Sequence, residues 1–138
     1  GRAAAENIVP TTTGAALATT KVVPALENRF DGIAVRVPTK AGSIADITFV
    51  AGRETSVEEV NEALRSAAAD ERWKKVFAVT EEPLVSTDII GQNYGAIADL
   101  SMTKVVDGTL VKVLSWYDNE AGYTHTLVEH VIATGAHI

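Results

Sequence analysis

The sequence predicts an α+β domain in which helices pack on one face of a largely antiparallel mixed sheet. Several segments alternate in side-chain character with a period of two, the pattern of a strand. Asp107 and Gly108 separate two such segments and predict a hairpin turn of two residues with positive φ. Ser56 and Glu59 form a capping-box pattern ahead of an apolar stripe at helical spacing. Because Gly-x-Gly-x-x-Gly does not occur, we place no dinucleotide-binding fold in residues 1–138.

Helices are predicted in three places. The first begins at residues 11–14 (TTTG), carries apolar positions 15, 18, 22 and 25, and is kinked or ended by Pro24. The second follows the Ser56 cap, with Val57, Val60, Leu64 and Ala67 on one stripe. The third follows Asn119, and its stripe runs through positions 124, 127, 128 and 131.

Strands are predicted at residues 30–37, 43–50, 75–79, 102–106 and 109–117, and residues 81–95 are predicted to be loop with a short strand. In the last strand Leu110, Leu114 and Trp116 lie on one face, and Val111, Val113 and Tyr117 lie on the other. Since both faces are apolar, we expect one to be covered by the chain's own helices and the other by a second subunit. We expect Val111 and Val113 to lie on the subunit side.

The composition of the chain excludes several classes of protein. It has 138 residues, 46% hydrophobic and 22% charged, with a formal net charge of −6. This acidic balance argues against a nucleic-acid partner. No apolar run approaches the roughly 20 residues that cross a membrane, and residues 1–7 lack a signal-peptide core. We expect no membrane partner, and a cytoplasmic protein. Since the chain opens on Gly1 rather than Met, we also expect an interior segment of a longer protein.

The residues that commonly bind metals are sparse. There is no cysteine, which excludes disulfides, thiolate ligands and cysteine nucleophiles within these residues. His125 and His130 are five positions apart on a predicted helix, so they lie about 140° apart around its axis. We therefore predict no metal site.

Two sequence features suit phosphate. The TTTG segment precedes a helix, where free backbone N–H groups and threonine hydroxyls can bind an anion, although ordinary capping by a threonine explains the same residues. Arg36 lies among apolar strand residues, and its guanidinium can bind phosphate at two points. An ion pair with Asp46 is the alternative for Arg36.

A third feature is the junction at residues 115–120 (SWYDNE). The Asn119 amide offers a donor and an acceptor, which matches a carboxamide. The alternative is that Asp118 or Asn119 caps the following helix.

The residues of these segments and their order resemble those of the phosphorylating glyceraldehyde-3-phosphate dehydrogenase family. Residues 2–16 (RAAAENIVPTTTGAA) resemble its segment after the active-site histidine, and residues 35–39 (VRVPT), 81–86 (EEPLVS) and 115–123 (SWYDNEAGY) follow in the family's order. The resemblance covers essentially all of residues 1–138. It implies a C-terminal portion of the catalytic domain, with the cofactor domain, the cysteine nucleophile and its activating histidine lying upstream.

The resemblance also implies roles for individual residues. Thr13, Gly14 and Arg36 would bind the substrate's phosphate or inorganic phosphate. Asn119 would hydrogen-bond the nicotinamide of NAD, or of NADP, and Tyr123 would pack near its ring. The pocket residue Tyr117 would lie beside the catalytic centre, and Arg2 would belong to an inter-subunit loop.

The implied activity is oxidation and phosphorylation of glyceraldehyde 3-phosphate to 1,3-bisphosphoglycerate in glycolysis, by a homotetramer. Inorganic phosphate and the remainder of the polypeptide would be the other partners. Erythrose-4-phosphate dehydrogenase is the alternative enzyme, although Tyr117 favours the glyceraldehyde phosphate enzyme. A non-catalytic fragment that acts in interaction or assembly is the alternative from another class.

Overall fold

The computed structural model describes residues 3–137, which form two compact units that divide between Lys40 and Ala41. Arg2, the residue that the sequence assigned to an inter-subunit loop, lies outside the described residues. Each unit has its own sheet and its own helices. Together they give the predicted α+β class.

The first unit contains a two-stranded antiparallel sheet and one short helix. Strand β1 (Val9–Thr12) pairs with β2 (Ile33–Arg36), and α1 (Ala15–Val22) lies between them in the chain. A 3₁₀ turn, Pro24–Leu26, follows α1 because proline cannot continue the helical hydrogen bonds. Helix α1 begins at Ala15, directly after the predicted start signal at residues 11–14, with Gly14 as its cap. Thr11 and Thr12 belong to β1, because their backbone groups pair with Ala34 and Ile33.

The second unit contains a four-stranded sheet in the order β3-β6-β5-β4. Its strands are β3 (Ser43–Val50), β4 (Phe77–Thr80), β5 (Ala96–Val106) and β6 (Leu110–Tyr117). Only β4 and β5 are parallel, and the other pairs are antiparallel, so the predicted mixed and largely antiparallel sheet is confirmed. The segment predicted as loop with a short strand, residues 81–95, instead contains the 3₁₀ turn Ser86–Ile89, and β5 begins after it.

The β5–β6 hairpin turns through Asp107 and Gly108, with φ angles of 49° and 65°. The positive φ values confirm the prediction from the Asp-Gly pair. The connection is longer than the two residues predicted, since Val106 pairs with Leu110. Thr109 stays outside the β5–β6 ladder, and its carbonyl accepts the N–H of Ala51 at 2.8 Å.

Helix α2 (Val57–Ala69) covers one face of the sheet. Its N-terminus is capped as predicted, because the Ser56 hydroxyl accepts the Glu59 N–H at 3.2 Å. The Glu59 side chain does not complete the capping box and binds Arg53 and Thr55 instead. Buried Asn61 on α2 donates its amide to the Leu100 carbonyl at 3.0 Å, where β5 bulges away from β6.

Val111 and Val113 are buried in the chain's own unit, contrary to our expectation. Val111 is 0% exposed and Val113 is 8% exposed, and Val111 lines a cavity together with Val60 of α2. The face on which Ile44 and Leu110 lie remains partly open, with those residues 44% and 42% exposed. The assignment of Val111 and Val113 to a subunit contact was therefore wrong. Sequence periodicity separates two faces but does not say which one the helix covers.

Helix α3 (Ala121–Gly135) ends the described chain. Lys75, which follows α2, binds Glu129 on α3 at 2.9 Å. Across residues 3–137, no helix is both long enough and apolar enough to cross a membrane.

Candidate functional site

The residues assigned to phosphate lie in the first unit. Thr13 and Gly14 join β1 to α1, and the Thr13 hydroxyl accepts the Ala15 N–H at 3.1 Å. The helix cap is Gly14, which has no side-chain cap, so Thr13 satisfies one N–H of the first turn without being the cap itself. Its hydroxyl proton remains able to donate to an anion. Gly14 is exposed, and a methyl group added there would meet nothing within 4 Å. The α1 N-terminus is thus accessible in this unit.

Arg36 ends β2 and is exposed. It pairs with Val9, three residues before the end of β1, so its backbone lies about 10 Å along the sheet from Thr12. Thr13 and Arg36 therefore flank opposite ends of the two-stranded sheet at the level of the backbone. Within the described part of its own unit, Arg36 forms no ion pair.

The residues assigned to the nicotinamide lie in the second unit, where β6 leads into α3. Asn119 occupies the exposed turn, and among the described residues its side chain makes no hydrogen bond, so its amide oxygen and nitrogen are both available. Tyr123 lies in the first turn of α3 and is 63% exposed. Tyr117 is the last residue of β6, opposite Ser43.

The side chain of Asp118, and not that of Asn119, accepts backbone N–H groups at the start of α3. Asp118 is 4% exposed, and its carboxylate accepts the N–H groups of Gly91, Glu120 and Ala121 at 2.8, 2.7 and 3.0 Å. These backbone hydrogen bonds, that from Gly91 first, lower the pKa of Asp118. The capping alternative at this junction is therefore satisfied by Asp118, which leaves the Asn119 amide unengaged.

A loop that the sequence analysis did not single out supports this junction. Residues 90–95 contact α3 so closely that a Cβ at Gly122 would lie 2.3 Å from the Tyr94 carbonyl oxygen. A Cβ at Gly95 would lie 2.8 Å from Thr126. The available signal was the set of glycines at 91, 95 and 122, whose partners only the folded chain reveals.

Within residues 3–137, no group of three or more His, Asp or Glu side chains is arranged to hold a metal ion. Thr13, Gly14 and Arg36 carry groups of the kind that bind anions, and the Asn119 amide is of the kind that pairs with a carboxamide.

Comparison with known proteins points to one family. Residues 1–119 match the family described as glyceraldehyde 3-phosphate dehydrogenase, C-terminal domain. The chain is 50% identical to glyceraldehyde-3-phosphate dehydrogenase of Geobacillus stearothermophilus over 128 residues, which cover 93% of this chain and 38% of the relative. It is 48% identical to glyceraldehyde-3-phosphate dehydrogenase 2 of Streptomyces avermitilis over 134 residues, 97% of this chain and 40% of the relative.

A third relative, glyceraldehyde-3-phosphate dehydrogenase of Streptococcus pyogenes, is 48% identical over 130 residues, 92% of this chain and 37% of the relative. The chain thus spans about two fifths of the length of the curated relatives it matches.

Proposed function

Because the chain belongs to the glyceraldehyde-3-phosphate dehydrogenase family, through its C-terminal domain, we propose that it is part of a complete glycolytic enzyme of that activity. The observation that carries the proposal is 48% identity over 97% of the chain. The complete enzyme would convert glyceraldehyde 3-phosphate and inorganic phosphate to 1,3-bisphosphoglycerate in the cytoplasm. The chain has no cysteine, so a cysteine nucleophile would come from the rest of the polypeptide.

In this proposal the first unit provides anion contacts. Thr13 and Gly14 stand at an accessible helix N-terminus, where N–H groups and the positive end of the helix dipole favour phosphate. Arg36 is exposed, and no ion pair engages it among the described residues of its unit, so its guanidinium can form charge-assisted hydrogen bonds with a phosphate. The phosphate of the sugar and inorganic phosphate share this chemistry.

The second unit would provide part of the nicotinamide site. The free amide of Asn119 fits a carboxamide, since each group offers one acceptor and donors in the same plane. The exposed ring of Tyr123 can pack beside the nicotinamide. NAD, or NADP, supplies hydride acceptance when it is bound. Asn119 and Tyr123 would orient the cofactor, and Tyr117 would border the pocket.

The two enzyme alternatives differ in their substrate. The relatives bear the name of the glyceraldehyde phosphate enzyme, so the comparisons do not favour erythrose-4-phosphate dehydrogenase. The test is the kcat/KM of the complete enzyme for each sugar phosphate, with NAD or NADP and saturating inorganic phosphate. We expect a higher value with glyceraldehyde 3-phosphate. A preference for erythrose 4-phosphate would contradict the proposal.

We also propose that the complete enzyme is a homotetramer. The open face of the four-stranded sheet, defined by Ile44, Val50, Val106 and Leu110, supports a contact between subunits. These four apolar side chains are 42–75% exposed in the described unit. A contact around a twofold axis would remove them from water and would satisfy the symmetry that homo-oligomers favour.

A further inference from the structure

The two carboxylate oxygens of Asp118 accept hydrogen bonds from two separate elements. Oδ1 accepts the N–H groups of Glu120 and Ala121, at 2.7 and 3.0 Å, where α3 begins. Oδ2 accepts the N–H of Gly91 at 2.8 Å, in the loop of residues 90–95. The side chain is buried, so all three bonds form in a place where losing a partner is costly. Asp118 therefore ties this loop to the start of α3.

The contacts around Asp118 leave little room for the loop to shift. Gly91 turns the chain with a φ of 82°. The Tyr94 carbonyl meets the backbone of α3 at Gly122, and Gly95 lies against Thr126 one turn further on. Together with the Asp118–Gly91 bond, these contacts seat the loop on the first two turns of α3.

We propose that Asp118 is a positioning residue for nicotinamide recognition, because it docks the loop of residues 90–95 on α3 and thereby sets the direction of the Asn119 amide. Asn119 lies between Asp118, whose side chain is buried, and Glu120, whose N–H donates to the Asp118 carboxylate. Its backbone is therefore restrained on both sides while its side chain stays free. An amide held in one direction binds a planar carboxamide with less loss of conformational freedom. This inference rests on the proposed role of Asn119.

A simple helix cap would use only Oδ1, and the variant Asp118→Asn separates the two roles. The asparagine oxygen can still accept the N–H groups of Glu120 and Ala121. Its NH₂ group would face the Gly91 N–H, so two donors would meet and the bond to the loop would be lost. The variant therefore keeps the cap and removes the docking.

The experiment measures the dissociation constant of NAD for the complete enzyme by titration calorimetry, together with its melting temperature. We expect Asp118→Asn to raise the dissociation constant roughly tenfold, in line with a lost buried hydrogen bond. The matched control is Asp99→Asn. Asp99 is 3% exposed and binds Ser101 and Trp116 through both carboxylate oxygens, so the same change tests general destabilisation. We expect it to lower the melting temperature while NAD binding is retained. Equal weakening of NAD binding in both variants would overturn the inference.

Asn119→Ala distinguishes failure of the inference from failure of the proposed function. If Asn119→Ala leaves NAD affinity unchanged, the proposed role of Asn119 is wrong and the inference falls with it. If Asn119→Ala weakens NAD binding and Asp118→Asn does not, only the inference is wrong. In the Asn119→Ala background, Asp118→Asn should weaken NAD binding less than twofold, because the two residues act through one amide. Full additivity would contradict this coupling.

Hydrogen exchange on the wild-type complete enzyme tests the same idea without a variant that has to fold. NAD should slow amide exchange in residues 118–124 and in residues 90–95 together. Protection of residues 118–124 alone would show that the loop is not coupled to the nicotinamide site and would overturn the inference.

Discussion

Lys112 on β6 binds Asp46 on β3, with the ammonium nitrogen 2.6 Å from the carboxylate oxygen. Both side chains are about half exposed, so the pair contributes little stability. Asp46 is the carboxylate that the sequence predicts as an alternative partner for Arg36. Within the second unit Asp46 already has Lys112 as a partner, and anion binding is the role of Arg36 to test.

Arg36→Leu in the complete enzyme should reduce kcat/KM for glyceraldehyde 3-phosphate roughly ten- to a hundredfold, because a charge-assisted hydrogen bond to phosphate is lost. Turnover of unphosphorylated glyceraldehyde should fall much less. Steady-state kinetics with both aldehydes measures the difference. Arg29→Leu is the matched control, since Arg29 is an exposed arginine of the same unit and should not discriminate between the substrates. An equal loss with both aldehydes would make Arg36 a structural residue.

Ile44→Lys should weaken association of the complete enzyme without unfolding it, because Ile44 is 44% exposed on the open sheet face and the charge would oppose its burial in a contact. Val111→Lys should instead unfold the domain, since Val111 is 0% exposed. Sedimentation velocity and circular dichroism separate the two effects. Ser66→Lys, at an exposed position on α2, is the control. If Ile44→Lys assembles like the wild type at low micromolar concentration, the open face is not the contact.

The stability that Asp118 contributes should depend on pH in the acid range. Hydrogen bonds from Gly91, Glu120 and Ala121 lower its pKa in the folded state below the ordinary value of about 3.9. A carboxyl with a lowered folded pKa stabilises the fold above its unfolded pKa, and this contribution is lost as the pH falls through the folded pKa. The difference in melting temperature between the wild type and Asp118→Asn should be constant near neutral pH and shrink below about pH 4. A difference that persists unchanged into strong acid would exclude this linkage.

The 138-residue chain by itself should not reduce NAD in the presence of glyceraldehyde 3-phosphate and inorganic phosphate. It contains no cysteine to attack the aldehyde and no Gly-x-Gly-x-x-Gly segment to bind a dinucleotide. Absorbance of NADH at micromolar enzyme concentration is the measurement. Phosphate-dependent turnover by the purified chain would refute the prediction.

Local sequence signals predicted the elements that are stabilised locally. The Asp107–Gly108 turn needed positive φ, which this pair adopts readily, and it formed as expected. Ser56 capped α2 for a similarly local reason, since the bond joins residues three apart. Strand β1 was not predicted, because Thr11 and Thr12 pair with a strand more than 20 residues away, a contact that no local pattern records.

For the site, too, the sequence predicted the candidate residues, whereas their contacts depended on the fold. The sequence by itself determined the family, through the order of its motifs, and therefore the candidates Thr13, Gly14, Arg36, Asn119 and Tyr123. Only the tertiary structure decided that Val111 is buried, and that Asp118 reaches Gly91 while Asn119 makes no side-chain bond among the described residues. These outcomes depend on contacts between residues distant in the chain. Residue type and spacing specify which groups can bond, whereas the packing of the folded chain selects the partners that they find.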